Sequence, residues 1–157
     1  MMEIFKAQLN LRKQRPKPEG FKYWNTPDLI HKVGTEFTPI ERPPMIEQGT
    51  LKECFKNAFE TATQFHDLIY CEGYADAGFG VPVLHAWVCH ENAPDKAIEV
   101  TWPESGESYW GIKFDYEWVR KTILKKETWG VLDQWENGFP LLKGIETDFL
   151  YKETESV

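Results

Sequence analysis

The chain has 157 residues, 41% hydrophobic and 15% aromatic, which fits one globular domain with an aromatic-rich core. Its formal net charge of −7 argues against nucleic acid as a partner, because phosphates select Lys and Arg. The three cysteines, Cys54, Cys71 and Cys89, are odd in number and sparse, which argues against a disulfide framework and for a reducing compartment.

At the N-terminus, Met1 to Lys6 lacks the charged start and apolar stretch of a signal peptide. No later run approaches the roughly 18 apolar residues of a membrane span. The expectation is a cytoplasmic protein that does not engage a membrane. Residues 1–45 read as an irregular basic arm around Arg12-Lys13-Gln14-Arg15-Pro16-Lys17-Pro18, whose prolines bias it to extended backbone. Within it, Thr26-Pro27-Asp28, followed by Leu29, Ile30 and Val33 and closed by Gly34, predicts a short capped helix.

The core is expected over 46–114. Thr50 and Glu53 fit a capping box, and Leu51, Phe55, Ala58, Phe59 and Ala62 form one apolar stripe at helical spacing. Cys54 falls in the first turn of that helix, where the helix dipole favours a thiolate. Strands are predicted over 68–75, 83–89 and 97–102, with turns at Gly78-Phe79-Gly80 and Asn92-Ala93-Pro94-Asp95. A further strand near 109–114 leads to Asp115, a good N-cap for a helix with Trp118, Val119, Thr122 and Ile123 on one side. The C-terminal helix and tail occupy 115–157, and the tail from Thr128 carries no clear pattern. The fold class expected is α+β, a helix bearing Cys54 packed on an antiparallel sheet of about four strands.

This order places a cysteine at a helix start, a histidine in one strand and a carboxylate in the next. Cys54, His85 and Glu99 lie 31 and then 14 residues apart. A nucleophile, a base and a group that orients the base are the requirements of acyl transfer. Antiparallel pairing through the turn at 92–95 puts residue 85 opposite roughly 101 or 99, within reach of a carboxylate-to-imidazole bond. Each residue alone has a blander reading: Cys54 as a small buried hydrophobe, His85 as a satisfied core histidine, Glu99 as a solvated side chain.

Four segments together carry a resemblance. Cys54-Phe55-Lys56-Asn57-Ala58, Glu72-Gly73-Tyr74-Ala75, His85-Ala86-Trp87 and Glu99-Val100-Thr101-Trp102 resemble the core of transglutaminase-like proteins of the papain-like cysteine-hydrolase superfamily. The likeness is greatest to small bacterial and phage proteins and spans about residues 50–114. It implies a thiol nucleophile at Cys54, a base at His85 and an orienting acid at Glu99, where the family usually carries Asp. Gln48 stands six residues before Cys54, the spacing of the oxyanion-hole Gln in papain-like proteases. Trp87 and Trp102 are candidates for a substrate groove, although aromatic side chains in strands more often pack in a core.

The function expected is cysteine-dependent acyl transfer on a protein or peptide substrate, as an amide hydrolase or a transamidase. The alternative is a non-catalytic binding protein on the same fold, such as a phage factor that engages a host protein. Cys71, Cys89 and His90 invite a metal reading, but neither Cys-x-x-Cys nor His-Glu-x-x-His spacing accompanies them. No metal or cofactor is expected, and oligomeric state is open.

Overall fold

A strand with apolar side chains on both faces has to be covered on both. Among the described residues, β2 (Leu68–Asp76), β3 (Val83–His90) and β5 (Ser108–Lys113) are such strands, and β4 (Ala93–Ile98) and β1 (Thr35–Ile40) join them. The computed structural model, which describes residues 2–134 and 137–153, covers one face by closing the strands into a barrel. The order is β1-β4-β3-β2-β5, and β5 returns to pair with β1. Every stave contributes to the interior: Phe37, Cys71, Trp87, Cys89, Ala97 and Tyr109 pack against one another. Gly111 makes this possible, because a Cβ there would lie 2.6 Å from the Trp87 ring. The alternate residues, among them Tyr70, Ala86, Val88, Ile98 and Ile112, face outward into a larger apolar layer.

That outer layer is completed by helices. In α3 (Cys54–Gln64), Phe55, Ala58, Phe59 and Ala62 face the core, as their spacing predicts. The capping box is not formed. Residues 50–53 make a turn in which the Glu53 amide donates to the Thr50 carbonyl at 3.2 Å, Lys52 takes a positive φ of 68°, and Leu51 is exposed. The helix therefore begins at Cys54, with no side chain capping its first turn.

The expected antiparallel sheet of four strands is corrected in two respects. A fifth strand closes it, and the β1–β4 ladder is parallel. Residues 1–45 are likewise not an irregular arm: they form α1 (Met2–Arg12), α2 (Thr26–Val33) and β1. Phe5 and Leu9, one turn apart, seat α1 in the outer layer, and Lys13 pairs with the buried Asp28 at 3.2 Å. The α2 helix matches its prediction, although its cap is Asn25, whose Oδ1 accepts from the Asp28 amide at 2.9 Å.

The β3–β4 turn is tighter than expected, so β4 starts at Ala93 and ends at Ile98, leaving Glu99 just past the strand. Asp115 caps α4 (Tyr116–Lys126) as predicted, and α5 (Pro140–Lys143) lies in the unassigned tail. Among the described residues no helix is long and apolar enough to cross a membrane.

Candidate active site

The alternation that sends Trp87 and Cys89 into the barrel sends His85 the same way, and its ring lies near those of Trp87 and Tyr109. An imidazole there is cut off from water and needs partners for both ring nitrogens. Glu99 supplies one: its Oε1 is 2.8 Å from His85 Nε2. The ring is stacked on Trp102, with centroids 3.9 Å apart and planes 15° apart, which fixes its orientation. With Nε2 given to Glu99, Nδ1 is the nitrogen left for Cys54, whose thiol is close enough to act on the ring's acidity.

Glu99 is buried yet fully served. Oε1 also accepts from the Tyr109 hydroxyl at 2.8 Å, and Oε2 accepts from the amides of Thr101 and Trp102, each at 2.9 Å. Those two amides are available because the chain leaves β4 at Ile98 and folds back under the carboxylate. Burial pushes the Glu99 carboxyl up, but the hydrogen bond and charge of His85 and the two amides bring it below its ordinary value. For His85, burial alone would lower the imidazole; contact with Cys54 and then with Glu99 outweighs it and raises the value to about 9. Tyr109 is pushed well up by burial and by the charge of Glu99, so its hydroxyl stays a donor.

The start of α3 is stitched to the same turn. Gly49 donates its amide to the Val100 carbonyl at 2.7 Å. Asn57, one turn on from Cys54, donates from Nδ2 to Thr101 Oγ1 at 3.0 Å and to the Thr50 carbonyl at 2.8 Å. Arg42 adds an Nη1 bond to the Glu99 carbonyl at 3.0 Å. The start of α3 and the turn after Glu99 are thus joined by several hydrogen bonds.

Cys54, His85, Glu99 and Trp102 are brought together. Gln48 is turned elsewhere: its Nε2 donates to the Thr101 carbonyl at 3.0 Å, so it straps the approach to α3 onto the turn after Glu99. Trp87 is not a groove residue. It is wholly buried against Phe37 and Tyr109, because the glycine at 111 leaves room only in the barrel interior. Trp102 does border a surface cleft, with Ala77, Pro103, Glu104 and Ser105.

Three residues here escaped sequence reasoning. Tyr109 looks like any core aromatic in a strand. Asn57 and Thr101 were visible as motif letters, and their pairing across 44 residues depends on the fold. Comparison of the chain with protein-family models, with curated proteins and with solved structures finds no match.

Proposed function

We propose that this protein is a cysteine-dependent acyl-transfer enzyme on a papain- or transglutaminase-like core, acting on the amide of a protein or peptide. The observation that carries the reading is His85 bonded through Nε2 to a buried carboxylate held below its ordinary value, with the partly exposed Cys54 thiol close enough to raise the imidazole. The Cys54 thiolate adds to the carbonyl carbon, forming the S–C bond and moving the π electrons onto oxygen. The uncapped first turn of α3 offers backbone N–H groups to that oxyanion. As the oxyanion collapses the C–N bond breaks, and the His85 imidazolium gives its proton to the departing amine. Water or a second amine then yields a proton to His85 and displaces Cys54 from the thioester. Glu99 holds the ring in place and stabilises its charged form throughout.

Site-resolved alkylation by iodoacetamide across pH tests this. Cys54 is expected to label fast well below pH 8, while Cys71 and Cys89, both fully buried, label slowly. His85→Ala should slow Cys54, and Cys54→Ala should abolish turnover with the fold intact. Labelling of Cys54 no faster than that of the buried pair removes the proposal. The second reading, a non-catalytic binding protein, is favoured by the β2–β3 hairpin, whose tip exposes Phe79 and Val81. It requires a Cys54 that is unreactive and dispensable for partner capture.

A further inference from the structure

We propose that Tyr109 is a positioning residue that sets the strength of the Glu99–His85 bond, by sharing with the imidazole the one carboxylate oxygen that faces it. The proposal rests on the acyl-transfer reading and deepens it, because it concerns how readily His85 gives up its proton. In the second half of the reaction water or an amine passes a proton to His85, and only a neutral ring can take it. A buried carboxylate that held the imidazolium without restraint would leave too little of that base.

Oε1 of Glu99 receives two donors, His85 Nε2 and the Tyr109 hydroxyl, each at 2.8 Å. Donors that meet at one oxygen draw on the same negative charge, so each weakens the other. The direction of the tyrosine bond follows from a third group. The Gly106 amide, which can only donate, lies 2.7 Å from the hydroxyl oxygen, so the single hydroxyl hydrogen is free for Glu99. A Cβ at 106 would stand 2.8 Å from the Asp76 carbonyl oxygen and 2.9 Å from the Trp102 ring, so that amide arrives by a close approach that glycine permits. Tyr109 and Glu99 are both buried, and burial together with the charge of Glu99 keeps the phenol protonated. Among the described residues, the titratable groups that face the pair are Cys54 at the start of α3, acting on the ring, and Tyr109 on β5, bonded to the carboxylate. Arg42 donates to the Glu99 carbonyl and not to its carboxylate.

The test titrates the His85 ring by NMR in protein with isotope-labelled histidine, the native chain against Tyr109→Phe, which removes the hydroxyl and keeps the ring. With Oε1 left to the imidazole alone, the variant's imidazolium should be an acid about tenfold weaker, the worth of one hydrogen bond to a charged group, leaving about a tenth as much neutral ring near pH 7. A merely structural role moves the ring the other way: a loosened Glu99 returns the imidazole from about 9 toward its ordinary 6.5. Slow iodoacetamide labelling of Cys71 and Cys89, which share the barrel interior with Tyr109, shows that the variant is folded. A second variant replaces Tyr109 by 3-fluorotyrosine, whose more acidic phenol donates more strongly. Its imidazolium should be a stronger acid than that of the native chain, and it decides alone if Tyr109→Phe does not fold. An unchanged or more acidic imidazolium in folded Tyr109→Phe, or one that the fluorine leaves unmoved or makes weaker, overturns the proposal. Failure of the acyl-transfer reading looks different: iodoacetamide would then label native Cys54 no faster than Cys71 and Cys89, whatever the titration of His85.

Discussion

Glu99 and Glu72 are both buried carboxylates, one turned to the barrel interior and the other to the layer outside it. Glu99 receives four donors and Glu72 three, so hydrogen-bond number hardly separates them. Their acidities nevertheless move in opposite directions. At Glu72 burial wins over Tyr70, the Leu132 and Val131 amides and the charge of Lys126, which does not hydrogen-bond to it, and the carboxyl is raised. At Glu99 burial is overcome, because the adjacent imidazole adds a charge as well as a hydrogen bond. Neutral donors and a cation out of hydrogen-bond contact do not offset the burial of Glu72; a directly bonded imidazole does offset that of Glu99. The chain thus carries one carboxylate suited to holding a proton carrier and one suited to holding a loop.

The largest expected effect is at the charged pair. Glu99→Ala removes the imidazolium's partner and strands four donors, and should cost about 3–5 kcal/mol by urea denaturation. Glu72→Ala strands neutral donors only and should cost about 1–3 kcal/mol in the same assay. Equal costs would break the comparison.

The pH dependence sharpens it further. A lowered Glu99 contributes stability above its ordinary 4.5 that is lost as pH falls through its folded value, and His85 contributes stability below its ordinary 6.5 that is lost as pH rises through about 9. The penalty of Glu99→Gln should therefore be greatest between pH 4.5 and 6.5. A raised Glu72 contributes in the opposite sense, fully below 4.5 and lost as pH rises through its folded value. The penalty of Glu72→Gln should accordingly shrink as pH rises, so the two profiles cross from acid to neutral pH. The smallest effect is expected from Gln48→Ala, which removes the bond to Thr101 beneath Glu99 and should cost about 0.5–1.5 kcal/mol by urea denaturation.

Much of the barrel was legible because period-2 and continuous apolar runs mark β2, β3 and β5 within a residue or two. β1 was not, since Phe37 is its one fully buried residue and Pro39 interrupts its pattern. α1 was hidden by the basic, proline-containing run that follows it, whereas burial of Phe5 and Leu9 and the pairing of Lys13 with Asp28 hold the segment down. Cys54 and His85 were readable from residue type and order, and Glu99 from the next strand, although its place beyond β4 depended on a turn one step tighter than the Asn-Ala-Pro-Asp run suggests. Glu72 carries a usable signal in the sequence: a carboxylate inside a strand buried on both faces has to be bonded to something distant. What it bonds, Val131 and Leu132, lies in a tail with no periodicity to read.

The barrel also sets an order of events during synthesis. β5 is the last of the five staves in the chain, and it both joins β1 to β2 and brings Tyr109 to Glu99. A nascent chain carries Cys54 and His85 long before Ser108 leaves the ribosome, and until then the cylinder has an open seam and the imidazole's acid lacks one of its anchors. Closure must also bridge distant segments, which makes it a late step. On the proposed reading the site is therefore completed only when the final stave is in place.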